Sequence, residues 1–505
     1  MIILTGNDLT LDQVVRASDR MESVAISKGA LKRVKSSREK VESLIDSGKP
    51  IYGVTTGFGD LISERIGLDK IRELQSNLIR SHSAGFGEPL DVRTVRAMMI
   101  VRANSLSKGY SGVRPELIQA LVDMINANVV PFVPEKGSVG SSGDLSPLAH
   151  LVLTLIGEGR VIEDGGVEDS IKALSKRGLK PISLEAKEGI SLINGTSYML
   201  ANLSLGYADS QSLLKHAIIA AGMSMHVLSA TERALDCGLF EARPHAEHGI
   251  VAQALKTFIQ GSERIRNGTE SKVQDAYSLR CIPTVLGSVL QTMNYVKGIV
   301  KTELNSATDN PLVLEEMTSG CNFHGEPLAF AADYLSIALT ELGNISERRT
   351  FRMLDKSLSG LAPFLADKPG VESGLMIPQY VAASLCNENK VLVYPSSADN
   401  IPTSANQEDH NSMGGTSTRK LRQIVRNVKG IVAIELLTSY RGMRMYGSSG
   451  KYLNTAYSIL NETIGEFKGD KETTAMIEKI TRLMDSSKML DEIPIRLERS
   501  VSSSS

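Results

Sequence analysis

Helical periodicity dominates the chain from about residue 200 onward. Downstream of Pro327, apolar residues recur at steps of three and four, while polar residues fall on the other faces. The apolar positions are Leu328, Ala331, Leu335, Ala338, Leu339, Leu342 and Ile345. Residues 285–300 and 421–432 repeat this spacing. The pattern predicts long helices with broad apolar faces that pack together as a bundle.

The first 200 residues are more mixed in pattern. Glycine-rich turns stand at residues 53–59, 85–87 and 137–143. Because β-branched residues cluster in residues 129–133, short strands are expected here as well. We therefore predict a mainly α fold with two regions. Residues 1–200 form a mixed α+β N-terminal region that carries loops on a helical scaffold, and residues 201–499 form a long-helix bundle. The serine-rich tail, residues 500–505, is predicted to be disordered.

The amino-acid composition limits the kinds of molecule that the protein is expected to bind. Lys and Arg number 56 against 57 Asp and Glu, a formal net charge of −1, and the 505 residues include no Trp. This even mix of charges with few aromatic residues argues against a binder of nucleic acid or of anionic membranes. The longest apolar stretch, residues 217–228, is interrupted by Ser224 and His226 and falls short of the roughly 20 residues that span a bilayer.

Two further features predict a cytoplasmic protein. The four cysteines are widely separated, so they match no zinc or dithiol redox motif and are expected to be reduced thiols. The N-terminus lacks the basic segment and the small-residue cleavage site of a signal peptide. His245 and His248, spaced by three, could share a metal ion, but no third ligand is evident, and we predict no metal site.

The most informative segment is the loop at residues 137–147, Gly-Ser-Val-Gly-Ser-Ser-Gly-Asp-Leu-Ser-Pro. Apolar residues at helical spacing follow it, which predicts a helix capped by Ser146 with Pro147 in its first turn. A phosphate-binding loop would need a glycine where Ser142 stands and then a lysine. A Gly-x-Ser-x-Gly nucleophile turn is also absent, because Asp144 stands two places after Ser142.

Covalent self-modification is the remaining interpretation of this loop. If a tight turn brings the amide nitrogen of Gly143 onto the carbonyl carbon of Ser141, a five-membered ring can close and lose water. Ser142 can then lose its hydroxyl as a second water, which leaves an exocyclic methylidene group. Glycine is needed as the attacking residue because a Cβ would block the approach. The product is a strong electrophile in a chain that otherwise supplies nucleophiles.

This segment resembles the aromatic amino acid ammonia-lyase family, whose prosthetic group is the 4-methylidene-imidazol-5-one (MIO) just described. The usual tripeptide is Ala-Ser-Gly, where this chain has Ser141, Ser142 and Gly143. Matching motifs follow in family order from Tyr52 to Glu408, so the resemblance covers nearly the whole chain. A second Ser-Ser-Gly at residues 448–450 lacks the Asp-Leu-x-Pro continuation and is expected to be an ordinary turn.

The resemblance implies a role for each matching residue. In Tyr-Gly-Val-Thr-Thr-Gly-Phe-Gly, Tyr52 would be the base that removes a proton, and in Ile-Asn-Gly-Thr, Asn194 would lie beside the prosthetic group. Gln274, Tyr277 and Arg280 are spaced by three, so a helical turn would place them on one side, where Arg280 could grip a carboxylate. Tyr277 and Gln274 would support the prosthetic group or an anionic intermediate. In Asn-Phe-His-Gly-Glu, Phe323 would wall the pocket.

Residues that would face the substrate side chain match the histidine branch of the family. These are His82 in Arg-Ser-His-Ser, Met376 in Gly-Leu-Met-Ile-Pro, and Glu408 in Asn-Gln-Glu-Asp-His. A carboxylate at Glu408 can accept a hydrogen bond from an imidazole N–H, whereas in a phenyl pocket it would be desolvated without a partner. The implied reaction is elimination of ammonia from L-histidine to give trans-urocanate, in a homotetramer whose active sites are shared between subunits.

Other assignments stay open on the sequence alone. A phenylalanine or tyrosine ammonia-lyase, or an aminomutase, would use the same prosthetic group. A serine-dependent amidohydrolase would need a lysine motif that is not evident, and a fumarase-type eliminating enzyme would need a Met-Pro-x-Lys continuation that is missing. A non-catalytic relative is a further alternative. Each singled-out residue also has an ordinary structural role open to it: a salt bridge for Arg280, core packing for Phe323, a helix-terminal charge for Glu408.

Overall fold

The computed structural model describes residues 1–46, 67, 70–164, 166–266 and 273–498. Helices dominate these residues, which confirms the mainly α prediction. The helices run, in chain order, over Leu11–Asp19 (α1), Lys28–Asp46 (α2), Ile71–His82 (α3), Val92–Ser107 (α4), Pro115–Asn126 (α5), Leu145–Leu155 (α6), Ser170–Lys176 (α7), Glu188–Ile193 (α8), Ser197–Val227 (α9), Cys237–Ala242 (α10), Ala246–Phe258 (α11), Tyr277–Arg280 (α12), Ile282–Glu303 (α13), Glu326–Leu354 (α14), Lys356–Ser359 (α15), Met376–Leu392 (α16), Gly414–Tyr446 (α17), Lys451–Ile464 (α18), Thr474–Asp485 (α19) and Lys488–Glu492 (α20).

Short strands accompany the helices. They are Ile2–Leu4 (β1), Val24–Ile26 (β2), Phe86–Pro89 (β3), Val130–Pro131 (β4), Pro134–Lys136 (β5), Arg160–Glu163 (β6), Gly166–Asp169 (β7), Leu312–Val313 (β8) and Met317–Thr318 (β9). The pair β1 and β2 is parallel, and the pairs β3 with β5 and β8 with β9 are antiparallel. Strand β6 lies between β4 and β7 in an antiparallel sheet. The β-branched run at 129–133 thus supplies β4, within the predicted mixed N-terminal region.

The chain forms two compact units, each built from separated segments. Unit 1 comprises Met1–Ala208, Val296–Asp333 and Pro395–Arg422. Unit 2 comprises Asp209–Tyr295, Tyr334–Tyr394 and Gln423–Ser505. The proposed division of the chain at residue 200 stays a prediction, and the predicted tail, residues 500–505, lies outside the described residues.

The long periodic segments are helical, as predicted. The run that begins near Pro327 forms α14, and residues 285–300 and 421–432 lie in α13 and α17. Leu328, Ala331, Leu335, Leu339 and Leu342 are all fully buried. Burial of a continuous apolar face is the main source of stability for such helices. No helix in the described part of the chain is long and apolar enough to cross a bilayer.

Unit 1 is organised around α4, which is buried from Thr94 to Ser107. Two arginines of this helix, Arg96 and Arg102, are buried, and their guanidinium groups donate hydrogen bonds to backbone carbonyls. Arg96 donates to the carbonyls of Ala17 and Ile125. Because a buried guanidinium without partners would be costly, these bonds fix the segments around α4.

Unit 2 contains a fully buried ionic network. The carboxylate of Glu435 on α17 accepts hydrogen bonds from Arg349 at 2.6 and 2.8 Å, and from Ser224 and Ser346 at 2.6 Å each. Removing one partner would leave a charge buried and unpaired, which costs about 3–5 kcal/mol in comparable sites. The network therefore fixes the register of three long helices.

Candidate active site around Ser142

The turn that contains Ser142 is built on left-handed glycines. Gly140 has φ +70° and Gly143 has φ +75°, a conformation that side chains disfavour. A Cβ on Gly143 would lie 2.4 to 2.5 Å from backbone atoms of Gly195. The two glycines pair as an isolated parallel bridge, and Asp144 N donates to the carbonyl of Gly195 at 2.8 Å. Glycine is therefore required at position 143 for space as well as for conformation.

Helix α6 begins directly after this turn, and its start differs from the prediction. Asp144, not Ser146, is the N-cap residue, and Ser146 lies inside the helix. The expected cap was wrong because the helix begins two residues earlier: the Asp144 carbonyl accepts a hydrogen bond from Leu148 N at 3.0 Å, and the Asp144 side chain makes no capping hydrogen bond. Its Oδ2 accepts hydrogen bonds from the backbone N–H groups of Tyr198 at 2.9 Å and Met199 at 3.0 Å, at the start of α9. Pro147 still lies in the first turn of α6, where its missing N–H costs nothing.

Asp144 is fully buried beneath the turn. Its Oδ1 accepts a hydrogen bond from Ser138 Oγ at 2.7 Å. Burial raises the pKa of Asp144 to about 7. Three hydrogen bonds and the positive charge of Arg102 favour the ionised form and partly offset this increase. The residue thus ties the turn to the starts of two helices, whose positive dipole ends lie next to it.

Glu408 contacts both serines of the tripeptide. Ser142 Oγ donates to Glu408 Oε1 at 2.5 Å, and Ser141 Oγ donates to Oε2 at 3.0 Å. Thr403 Oγ1 also donates to Oε2, at 2.6 Å. The backbones of Thr403 and Glu408 pair in both directions, at 3.0 and 3.3 Å. The carboxylate is therefore held in position before any substrate arrives.

Asn194 lies on the other side of the turn. Its Nδ2 donates to the carbonyl oxygen of Ser142 at 2.7 Å, and its Oδ1 is buried without a hydrogen-bond partner among the described residues. Arg102, fully buried in α4, donates to the backbone carbonyl of Asn194 at 3.0 Å and to that of Ser191. The predicted position of Asn194 beside residue 142 thus agrees with the geometry.

His82 is the last residue of α3 and is partly buried. Burial lowers its pKa, opposed by a hydrogen bond with the backbone of Leu78 and by the negative charge of Glu408. Its imidazole is therefore neutral at pH 7, with Nδ1 3.0 Å from Ser81 Oγ. Glu408 thus lies near enough to His82 for its negative charge to favour the protonated imidazole.

The loop that carries Phe323 joins the turn through its backbone. Gly325 N donates to the carbonyl of Gly140 at 3.1 Å, and Ser412 Oγ donates to the same oxygen at 3.0 Å. Met413 N donates to the carbonyl of Val139 at 2.8 Å. Phe323 is partly exposed in this loop rather than buried in the core. Two loops that are distant from residue 140 in the chain thus converge on this turn.

The remaining predicted residues that the structure describes belong to unit 2. Only Tyr277 and Arg280 of the predicted helical trio lie in a helix, α12, because Gln274 precedes it. The Arg280 guanidinium lies 4.5 Å from the ring centre of Tyr277. Gln274 and Arg280 both line a cavity of about 320 Å³. Met376 is the first residue of α16, and it is partly buried.

One predicted residue is not described by the structure, and three residues at the site were not predicted. Tyr52, the predicted base, lies outside the described residues. Thr403 and Arg102, which contact Glu408 and Asn194, were not singled out from the sequence, nor was Asp144, which joins the turn to the start of α9. Asp144 had a local signal, since it follows the tripeptide directly, whereas Thr403 and Arg102 act through contacts that no short motif encodes.

The residues present fit a ring formed from positions 141 to 143. Gly143 lacks a Cβ at a position that has no room for one, and the Ser142 hydroxyl lies against a carboxylate that, once protonated, could donate a proton to this hydroxyl as it leaves as water. Asn194 and the start of α6 offer N–H groups at the same turn. The arrangement can thus support dehydration of Ser142 and stabilise negative charge nearby.

Comparison with known proteins agrees with this geometry. The sequence model of the family described as aromatic amino acid lyase matches residues 9–462, and the chain belongs to this family. It is thereby a carbon–nitrogen lyase, as the motifs predicted. The chain is similar to the probable histidine ammonia-lyase of Thermoplasma acidophilum, with 47% identity over 98% of this chain and 100% of the relative. It is also similar to histidine ammonia-lyase of Bacillus cytotoxicus, with 42% identity over 99% of each chain.

Solved structures show the same fold. The crystal structure of histidine ammonia-lyase from Trypanosoma cruzi matches with a TM-score of 0.91 and 38% identity, covering 97% of this chain and 94% of the other. Tyrosine aminomutase from Streptomyces globisporus matches with a TM-score of 0.94 and 33% identity, covering 98% and 100%. One backbone therefore serves relatives named for different substrates, so the side chains at the site must decide the substrate.

Proposed function

We propose that this protein eliminates ammonia from L-histidine to give trans-urocanate, using a methylidene-imidazolone formed from Ser141, Ser142 and Gly143. The observation that carries the proposal is the position of Glu408, whose carboxylate lies against Ser142 and acts electrostatically on His82. An anionic acceptor beside the reacting group suits an imidazole N–H and not a phenyl ring. The names of the full-length relatives support the same substrate.

Each proposed role follows from the chemistry of the side chain. The ring, once formed, supplies an electrophilic carbon that accepts electrons from the substrate. Glu408 accepts a hydrogen bond from the substrate imidazole, and neutral His82 supplies a second polar contact. Arg280 binds the substrate carboxylate with its planar fork of donors. Tyr52 removes the β-proton, for which its pKa must be lowered by nearby positive charge.

The other predicted residues shape and support the site. Phe323 and Met376 provide apolar walls, and an adaptable methionine suits an aromatic ring of any orientation. Asn194 holds the carbonyl oxygen of residue 142 through its amide nitrogen. Tyr277 and Gln274 stabilise the prosthetic group or negative charge that develops during elimination.

Incubation with single amino acids tests the proposal. We expect L-histidine to yield an absorbing unsaturated product in the near ultraviolet and free ammonia, with L-phenylalanine and L-tyrosine slower by at least about 100-fold. The expected ratio reflects the hydrogen bond between the Glu408 carboxylate and an imidazole N–H, which a phenyl or phenol ring cannot make in the same way. Chromatography of the products separates urocanate from β-histidine, which an aminomutase would release. Equal rates with all three amino acids, or β-histidine as the main product, would contradict the assignment.

We further propose a homotetramer with shared active sites. Helix α16 exposes a set of apolar side chains that a partner subunit would cover: Ile377 at 56%, Tyr380 at 59%, Val381 at 42% and Val391 at 72%. Exposed apolar patches of this kind mark contact surfaces. Tyr277 is 68% exposed in the single chain, which leaves its ring free to complete a site in another subunit.

Co-expression of two inactive variants tests whether sites are shared. Chains with Ser142→Ala and chains with Arg280→Gln, carrying different affinity tags, are purified as mixed assemblies. If a site takes its electrophile and its arginine from different subunits, random assembly restores up to about a quarter of wild-type activity. Mixed assemblies in which both chains carry Ser142→Ala are the control and should stay inactive. Verified mixed assemblies without recovered activity would refute shared sites.

We place the enzyme in the cytoplasm. Cys237, Cys281, Cys321 and Cys386 are free cysteines. Unpaired thiols, two of them exposed, suit a reducing compartment.

A further inference from the structure

Three potential metal ligands converge in unit 1, apart from the histidine pair noticed in the sequence. One ligand atom each from His324, Glu326 and His410 lie within 4.8 Å of one another. His324 and Glu326 flank the start of α14, and His410 comes from the loop before α17. The rings of His245 and His248 are tilted by 31° with their centres 4.7 Å apart, and the pair has no third ligand among the described residues.

The hydrogen bonds of His324 fix its protonation pattern. Its Nε2 lies 3.3 Å from the backbone carbonyl oxygen of His410, an acceptor that requires a proton on this nitrogen. Its Nδ1 accepts a long hydrogen bond of 3.4 Å from the backbone N–H of Glu326 and so carries a lone pair. A histidine that donates one ring N–H to a carbonyl and presents the other nitrogen unprotonated has the arrangement common in metal sites.

The carboxylate of Glu326 has an unused oxygen beside that lone pair. Oε2 lies 3.9 Å from Nδ1 of His324, and it is buried without a hydrogen-bond partner among the described residues. Two electron-rich atoms that face each other at this distance repel unless a cation lies between them. Leaving a buried carboxylate oxygen unsatisfied also costs free energy, which a bound cation would recover.

We propose that His324, Glu326 and His410 form a binding site for a divalent transition-metal ion, with Zn²⁺ as the best match. Two imidazoles and one carboxylate are a ligand set typical of zinc, and the fourth position is left to water. Zinc bonds of about 2.0–2.1 Å bring ligand atoms to about 3.3 Å from each other, so rotation of the exposed His410 side chain would complete the site. The ring centres of His324 and His410 are 5.6 Å apart, tilted toward each other.

A metal here would join the two loops that hold the turn at Ser142. His410 is two residues from Glu408, and Glu326 follows Gly325, which donates to the carbonyl of Gly140. The ion would therefore fix the Glu408 segment against the start of α14. This role is structural and does not depend on the identity of the amino acid substrate.

Direct metal binding tests the proposal independently of activity. The full chain, freed of any polyhistidine tag and stripped with a chelator, is titrated with Zn²⁺ by calorimetry and with Co²⁺ by visible absorption. We expect one ion per chain, with d–d bands that indicate nitrogen and oxygen ligands. His324→Asn, Glu326→Gln and His410→Asn should each weaken binding by at least about tenfold. His245→Asn is the matched control and should bind the ion like the wild type.

Several outcomes would overturn the site. These are no saturable binding, wild-type affinity in all three variants, or an equal loss in His245→Asn. Because the His410 side chain is exposed, His410→Asn is expected to fold normally. If the other two variants are unstable, metal binding by His410→Asn alone tests the site. Circular dichroism of each variant verifies the fold before titration.

Discussion

Replacing Ser142 with alanine is expected to lower ammonia elimination by at least about 1,000-fold, as loss of the central group of a catalytic unit does elsewhere. Alanine has no hydroxyl to lose, so the methylidene carbon cannot form. Intact mass spectrometry should find the wild-type chain lighter than its sequence by two water molecules, and the Ser142→Ala chain at the mass its sequence dictates. The two measurements together link the modification to activity.

The chain offers a matched control for this experiment in its second Ser-Ser-Gly, residues 448–450. Ser449 is the middle serine there, and its hydroxyl accepts a hydrogen bond from Glu263 N at 2.8 Å. Ser449→Ala should keep full activity and the same mass deficit as the wild type. A wild-type chain of unreduced mass, or an active Ser142→Ala enzyme, would refute the proposed chemistry.

Replacing Glu408 with glutamine should lower kcat/KM for histidine by about 10- to 100-fold. This loss in kcat/KM corresponds to the free energy of a hydrogen bond to a charged group, about 1.5–3 kcal/mol. Glutamine keeps the shape and one acceptor oxygen but removes the negative charge that favours an imidazole N–H. Steady-state rates with histidine and phenylalanine measure the effect, and the ratio of the two rates should shift toward phenylalanine.

The mass of the Glu408→Gln chain separates two roles for this residue. The carboxylate also accepts a hydrogen bond from the Ser142 hydroxyl, so in its protonated form it could help that hydroxyl leave as water, besides binding the substrate. A normal mass deficit with low activity assigns Glu408 to the substrate, whereas a missing deficit assigns it to maturation. Asp409→Asn removes the neighbouring, exposed charge and should leave both readouts unchanged. Unaltered histidine kinetics in Glu408→Gln would refute its role in binding.

Local patterns predicted the long helices and the need for glycine in the turn at residue 143 because both depend on short-range geometry. The apolar spacing after Pro327 follows the helical repeat, and the need for glycine at position 143 follows from sterics. The cap of α6 was predicted at Ser146, but α6 begins at Leu145, and the Asp144 carboxylate accepts hydrogen bonds from α9 instead of capping its own helix. Propensity rules see only the nearest neighbours of a residue, so tertiary hydrogen bonds override them.

The supporting residues of the site escape sequence patterns for the same reason. Thr403 is placed by a short antiparallel pairing with Glu408, and Arg102 reaches the carbonyl of Asn194 from the middle of a buried helix. Neither contact has a characteristic spacing. The division of predicted residues between the two units likewise follows from the contacts of the whole chain, not from its order.

The contacts of Gly140 and Asp144 bear on when the protein can modify itself during synthesis. The carbonyl of Gly140 is held by Gly325 and Ser412, and Asp144 by the first residues of α9. A nascent polypeptide that has left the ribosome only as far as residue 200 lacks the restraints from Gly325 and Ser412. If the ring forms as proposed, its closure would follow synthesis of both these segments, and a Ser-Ser-Gly sequence without such contacts would not be held in the same turn.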